Sequence, residues 1–268
     1  MSDICFITTC MGRLAHLQQT LPLAVKQAQS QCVVVDYSCP QKCGDWVEQH
    51  YPQVKVVRVP GQVRFNSSRA RNLGAQAGDA PWFCFFDADT VLDEHFAELV
   101  RPRLEPGCFF TAQPWVKGLM GTFLCSREDF LRAGGYDEVF QGWGTEDRDL
   151  YLRLGMLGLT ERGFPSDWLR SIPHDDELRV ENRDMKNLRA GDTQNSLYLA
   201  AKIDLMKLRA ASLSLAERQN LYEEAGKIVQ HWLQTGQQAQ WCFKWQKIST
   251  RLGPEINSML VYSLAAKQ

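Results

Sequence analysis

The run Trp82-Phe-Cys-Phe-Phe-Asp87-Ala-Asp89 is an apolar stretch that ends in two carboxylates separated by one residue. On a straight strand such a pair points to opposite faces, but at a strand end the chain can turn and aim both at one ligand. Carboxylate oxygens suit hard cations such as Mg2+ and Mn2+. Alone, Asp-x-Asp is a weak signal: Asp89 could cap a turn, and Asp147-Arg-Asp149 has the same spacing. The apolar run before Asp87 sets the first pair apart, because it places the acids at the mouth of a core strand.

A second stretch, Gly142-Trp143-Gly144-Thr145-Glu146-Asp147, presents a large flat ring between two glycines. Sugar C–H faces stack on such rings. Thr145 is placed to cap a following helix, with Glu146 and Asp147 in its first turn. The helix dipole there favours an ionised carboxylate, ready to accept a proton from a hydroxyl. Acids in a first helical turn are also common without any such role. His174, in Ile172-Pro-His-Asp-Asp, is a candidate metal ligand, although one of five histidines is more often structural or solvated. Arg69, Arg71 and Arg13 could clamp a diphosphate or could be solvated helix faces.

The elements that must position these groups follow from periodicity. Ile4-Cys-Phe-Ile-Thr-Thr, Cys32-Val-Val-Val-Asp36, Val54–Val59 and Pro81–Phe86 read as strands. Between them, Leu14 to Val25 (with Pro22 inside), Gly44 to His50 and a Ser-capped segment from Asn66 read as helices. This alternation predicts an α/β domain with a mostly parallel central sheet. Ligands of such sheets bind beyond the C-terminal strand ends, where Thr9, Asp36 and Asp87 fall. Further on, Phe109–Pro114 and Gly118–Cys125 read as strands, Ser126–Ala133 as a helix, and Glu146–Gly155 as a helix with Leu150, Leu154 and Leu157 on one face.

From residue 193 the reading is helical, with Leu197, Ala201, Leu205 and Leu208 on one stripe. Ser214-Leu-Ala-Glu217 is a capping box opening another helix, lined by Leu221, Ala225, Ile228 and Trp232. The expected division is therefore a catalytic domain over 1–192 and a helical C-terminal appendage over 193–268.

The chain has 268 residues, with 30 Lys+Arg against 31 Asp+Glu, which argues against electrostatic nucleic-acid binding as the main task. No run of eighteen apolar residues suggests a spanning helix, and no basic region followed by an apolar core suggests a signal peptide. The expected location is the cytoplasm, with peripheral attachment to a membrane as the alternative. Nine cysteines are many. Cys5, Cys32, Cys84 and Cys125 fall in strand-like runs and read as small hydrophobes. Cys39 and Cys43, with Cys32 upstream, could begin a zinc site, but no second Cys or Cys/His pair completes it, so reduced thiols are the better reading.

In order along the chain, Ser68-Arg-Ala-Arg-Asn72, Phe85-Phe-Asp-Ala-Asp89 and Gly134-Gly-Tyr-Asp-Glu-Val-Phe-Gln-Gly-Trp-Gly-Thr-Glu-Asp147 resemble the GT-A glycosyltransferases of family 2. The second half is similar to their β-1,4-galactosyltransferase and chondroitin-polymerase-like branch. The resemblance runs from Ile4 to Asp176. It implies a metal bound by Asp89 and His174, a nucleotide-sugar site using Thr9, Arg13, Asp36, Arg71 and Asp87, and an acceptor site at Trp143 and Glu146. Asp147 would be the catalytic base of an inverting transfer of a hexosyl or N-acetylhexosaminyl group, with Mn2+ or Mg2+, from a UDP-linked sugar to a saccharide hydroxyl. Polysaccharide biosynthesis would be the setting, and homo-oligomerisation is left open. The first loop (Thr8-Thr-Cys-Met-Gly-Arg13) and the single acid Asp36, followed by Tyr37, depart from the family pattern.

Two other readings are open. A sugar nucleotidyltransferase shares the α/β core and paired acids, but no Gly-rich loop with Arg and Lys follows the first strand. A non-catalytic carbohydrate-binding protein would have no need of Asp87, Asp89, Asp147 and His174 together.

Overall fold

The computed structural model describes residues 2–173, 175, 177, 181–183, 185–248 and 251–266. These divide into two compact units, Met1–Glu138 with Glu146–Asp184, and Val139–Thr145 with Met185–Gln268.

The first unit is built on a seven-stranded sheet. Its strands are β1 (Ile4–Cys10), β2 (Ser30–Asp36), β3 (Lys55–Arg58), β4 (Trp82–Phe85), β6 (Cys108–Gln113), β7 (Phe123–Ser126) and β8 (Thr160–Pro165), in the order β3-β2-β1-β4-β7-β6-β8. The β3-β2-β1-β4 half is parallel, β7 runs antiparallel to both neighbours, and β6 pairs parallel with β8. A second, two-stranded ladder joins β5 (Thr90–Leu92) to β9 (Leu169–Ser171).

Alternation along the strands feeds two cores. Phe6, Val34, Cys84, Phe110 and Leu124 meet α1 (Leu14–Val25), α2 (Cys43–His50) and α4 (Phe96–Val100) on one face. Ile7, Val33, Phe85, Phe109 and Phe123 meet α3 (Ser67–Ala77), α5 (Arg127–Arg132) and α6 (Glu146–Met156) on the other. Coverage of both faces explains why the strands read as apolar runs without polar alternation. Helix α1 continues through Pro22.

Several local expectations need correcting. The cap of α3 is Asn66, whose side chain accepts from the Arg69 amide, and not a serine. The strand expected over Gly118–Cys125 is confined to Phe123–Ser126, because Gly118 adopts φ 92° and the chain up to Gly121 turns past Asp87. Leu150 and Leu154 are buried, but Leu157 lies beyond the end of α6 and is 41% exposed.

The second unit contains α7 (Leu188–Arg209) and α8 (Leu215–Thr235), packed through Leu197, Ala201, Leu205, Leu221, Ala225 and Val229. The Ser214–Glu217 capping box forms as expected. Leu208 is exposed. The region ends in an antiparallel hairpin, β10 (Ala239–Ile248) with β11 (Ile256–Leu264), where a helical reading expected no strands. Along β11 exposure alternates residue by residue, the period of a half-covered strand. No helix among the described residues is long and apolar enough to cross a membrane.

Candidate active site

Helix α3 carries Ser67 and Arg71 on one face, four residues apart, and both reach the same carboxylate. Ser67 Oγ donates to Glu146 Oε1 at 2.9 Å, and Arg71 Nη1 lies 3.4 Å from that oxygen. The same Nη1 donates to Asp147 Oδ1 at 3.1 Å, while Nη2 donates to Asp87 Oδ1 at 2.7 Å. One buried guanidinium thus gathers the acid at the end of β4 with the two acids that open α6. The family resemblance implies a diphosphate contact for Arg71; in the structure its fork is engaged by protein carboxylates.

Tyr136 completes the cluster. Its ring lies under the Arg71 guanidinium at 5.0 Å, and its hydroxyl donates to Asp147 Oδ1 at 3.2 Å. Asn72 clamps the Tyr136 backbone, donating from Nδ2 to its carbonyl (2.9 Å) and accepting its amide (2.8 Å). Arg153 pairs with Asp149 at 2.7 Å and donates to the Gly135 carbonyl at 2.8 Å, which ties α6 to the turn that presents Tyr136. Asp149 is fully buried in that pair, so this member of the second Asp-x-Asp is structural and only Asp147 belongs to the Arg71 cluster.

The electrostatics follow from this packing. Burial opposes the Arg71 charge, yet Asp147, Asp87 and Glu146 hold its pKa well above the ordinary value. Burial raises the Asp147 carboxyl from 3.8 to about 7, against the opposing pull of Arg71, with Glu146 and Asp87 adding to the rise. Its side chain is still 16% exposed, whereas Glu146 is closed in at 7%. Gly121 lies against the cluster: a Cβ there would meet Asp87 Oδ2 at 2.5 Å and Arg71 Nη2 at 3.0 Å.

Asp89 lies at the start of β5, and its carbonyl accepts the Ile172 amide at 2.8 Å. The β5–β9 ladder thereby carries the chain to Ile172 beside Asp89. His174 itself lies outside the described residues. Thr9 is buried at the end of β1, one residue before the Cys10–Asp36 pairing. Asp36 has an internal job. Its Oδ1 accepts the Cys39 amide (2.8 Å), and its Oδ2 accepts the Gly44 amide (3.1 Å) and Arg58 (3.4 Å). Arg13 precedes the first turn of α1 and is half-buried.

Trp143 belongs to the second unit and is 36% exposed. Its loop is strongly specified. Gly142 and Gly144 adopt φ 73° and 89°, and buried Asn195 donates to the carbonyls of Gln141 (3.0 Å), Gly144 (2.9 Å) and Trp143 (3.4 Å). Thr145, next to the acids, is left-handed as well (φ 81°), a costly conformation for a β-branched residue.

Ser67, Gly121, Tyr136, Arg183 and Asn195 are not singled out by their sequence context. Arg183, 8% exposed, donates to Ser67 Oγ at 3.5 Å and lies over Phe65. Tyr136 has a usable signal in the Gly134-Gly-Tyr turn; the others are ordinary residue types whose role depends on contacts across the fold.

Comparison with solved structures gives the architecture a name. Staphylococcus aureus TarS in complex with UDP-GlcNAc superposes with TM-score 0.62 at 12% identity, over 87% of this chain and 73% of that one. The mannosyltransferase PcManGT of Pyrobaculum calidifontis, in complex with GDP-Man and Mn2+, superposes with TM-score 0.55 at 14% identity, over 87% and 70%. The chain has the GT-A glycosyltransferase fold. Within this GT-A fold, residues 111–175 match the family model described as the N-terminal domain of galactosyltransferase. Bovine (Bos taurus) β-1,4-galactosyltransferase 1 is 26% identical over 117 residues, which is 40% of this chain and 29% of that enzyme. The chain therefore matches less than a third of that relative's length. The galactosyltransferase-like segment includes Gly121, Tyr136, Glu146 and Asp147.

Proposed function

We propose that the protein transfers a hexosyl or N-acetylhexosaminyl group, with inversion, from a nucleotide-diphosphate sugar to a saccharide hydroxyl. The observation that carries this reading is the convergence of Asp87, Glu146 and Asp147 on Arg71. It joins the nucleotide-sugar end of a GT-A sheet to a partly exposed carboxylate poised near neutral pH. Asp147 keeps 16% of its side chain exposed while burial pushes its pKa up to about 7, which suits a base that works near neutral pH.

In this reading Asp147 Oδ accepts the proton of the acceptor hydroxyl as that oxygen attacks the anomeric carbon. The new C–O bond forms as the bond from that carbon to the diphosphate oxygen breaks, and the nucleoside diphosphate leaves with the electron pair. Arg71 and Tyr136 hold Asp147 in place, and Glu146, bonded to Ser67 and Arg71, is a positioning group for acceptor binding. Trp143 offers its exposed ring to the acceptor. Thr9, Arg13, Asp36, Asp87 and Arg71 are assigned to the donor end, with Asp36 also holding the 39–44 segment.

The donor set fits a hard divalent cation. Asp87 and Asp89 would supply oxygens at the mouth of β4, and the backbone after β9 brings Ile172, two residues before His174 in the chain, beside Asp89. Asp89 and His174 would hold Mn2+ or Mg2+, which when bound neutralises charge on the departing diphosphate. The Mn2+ in the PcManGT complex supports this assignment. A UDP-linked donor is favoured by the UDP-GlcNAc complex of TarS.

The test is a thermal-shift panel of UDP, GDP, CDP, ADP and CMP with and without Mn2+, followed by sugar transfer with Asp147→Asn. A Mn2+-dependent rise in Tm for one diphosphate, lost in Asp89→Ala, is expected. Undiminished transfer by Asp147→Asn would remove the base assignment. Binding of a nucleoside triphosphate with release of pyrophosphate would favour the nucleotidyltransferase reading instead.

A further inference from the structure

Three cysteines from three elements converge beneath the second strand end. Cys10 is the last residue of β1, Cys39 lies in the turn after β2, and Cys43 is the first residue of α2. Their Sγ atoms all lie within 4.8 Å of one another, with Cys10 and Cys39 at 3.9 Å. All three are buried and reduced. Among the described residues this is the one group of three or more His, Cys, Asp or Glu side chains brought this close.

The spacing has a chemical meaning. Around a tetrahedral zinc with Zn–S of about 2.3 Å, neighbouring sulfurs are about 3.8 Å apart. The observed 3.9 Å between Cys10 and Cys39 is that separation, and it is far longer than a disulfide. The thiols of Cys5, Cys84 and Cys125 are also buried but do not draw together into a triad this tight. Here three converge where positive potential is available. The Gly12 amide donates to Cys39 Sγ at 3.3 Å, which favours a thiolate there, while the Cys43 thiol at the start of α2 donates to the Cys10 carbonyl at 3.9 Å. The Cys10 and Cys43 thiols, followed by the Gly12 amide, pull the Cys39 pKa well down, while the thiol contacts and burial push Cys43 and Cys10 up, so one thiolate is shared by two thiols.

We propose that Cys10, Cys39 and Cys43 form a trithiolate site for a thiophilic divalent cation of the zinc class, with the fourth position filled by water or an external ligand. On binding, the thiol protons that the three cysteines still hold pass to solvent. The site is chemically separate from the oxygen donors at Asp87 and Asp89, which suit hard cations. Its structural consequence is specific. The 39–44 segment is already fastened to Asp36 through the Cys39 and Gly44 amides, so a cation there would brace that segment against β1.

The proposal is tested on the full chain, reduced with a phosphine and stripped of metal, by titration with Cd2+. A thiolate-to-cadmium charge-transfer band saturating at one equivalent per chain is expected, together with a rise in Tm on adding Zn2+. The band should be lost in Cys39→Ser and Cys10→Ser, and kept in Cys242→Ser, which removes the exposed thiol, and in Asp89→Asn, which removes the hard donor. Absence of the band in the wild-type chain, or its survival in both Cys10→Ser and Cys39→Ser, overturns the proposal. Loss of the band in Cys242→Ser also overturns it. The wild-type titration decides even if a variant fails to fold.

Discussion

Arg71 Nη1 lies 3.1 Å from Asp147 Oδ1, and through this contact a residue on α3 opposes the burial that raises the pKa of a residue in the first turn of α6. The guanidinium is 5% exposed at its side chain, so its charge acts through little water. Arg71→Met should cost roughly 3–5 kcal/mol, because it leaves buried carboxylates without their cation. Urea unfolding measures this. Arg71→Lys keeps the charge but not the fork, and should recover part of the stability while transfer stays impaired.

The pH dependence follows from Asp147, raised from 3.8 to about 7 mainly by burial. Below pH 3.8 the carboxyl is protonated in both folded and unfolded chains. Between there and about pH 7 the folded chain holds a proton that the unfolded chain releases, so stability falls as pH rises and levels off above pH 7. Asp147→Asn should flatten that slope. Transfer by the wild type should rise through pH 7 as the base ionises, and the variant should lose about 10²–10⁴-fold. A wild-type rate independent of pH from 5 to 9 would contradict the role.

Tyr136→Phe removes the hydroxyl that donates to Asp147. That bond holds the Asp147 pKa down, so its loss should move the acid limb of the rate profile to higher pH, with a stability cost of about 1 kcal/mol. A purely structural tyrosine would lose stability with no movement of the limb.

Gly121→Ala places a methyl group 2.5 Å from Asp87 Oδ2. Asp87 has to give way, which loosens its 2.7 Å bond to Arg71. The expected result is a Tm lowered by a few degrees and weaker Mn2+-dependent binding of nucleoside diphosphate, read by calorimetry. Unchanged binding would show that Asp87 can shift without cost.

Asn195→Ala should free the carbonyls of Gln141, Trp143 and Gly144 from their shared donor. The cost should be about 1–3 kcal/mol, since the three carbonyls lose this donor and the buried Tyr222 hydroxyl loses Asn195 Oδ1 as its acceptor. Hydrogen exchange should report faster opening over residues 141–145, and KM for the acceptor should rise more than kcat falls.

Much of the architecture is legible in the amino-acid sequence. The strands leading to Asp36 and Asp87 follow from unbroken apolar runs, and the helix carrying Arg71 and the helix opening with Glu146 and Asp147 from caps and spacing near 3.6, all of which depend on neighbours in the chain. The Ser214–Glu217 box is local in the same way and forms as its spacing implies. The terminal hairpin is not legible, because its strands are defined by each other, through pairings such as Trp241 with Tyr262.

Within the site, residue type and spacing already reveal the charged chemistry: acids at a strand mouth, acids in a first helical turn and an arginine early in a helix. Packing between elements settles that Arg71 serves three acids, that Asp36 is tied to its own loop, that Asp149 is structural and that Gly121 lies close against Asp87 and Arg71. It also brought Cys10 to Cys39, twenty-nine residues on, by setting β1 beside β2. The physical reason is that residue type and spacing reveal which face of its own element a side chain occupies. Which groups then share a buried volume is set by packing between elements, and it is there that desolvation and pairing fix their chemistry.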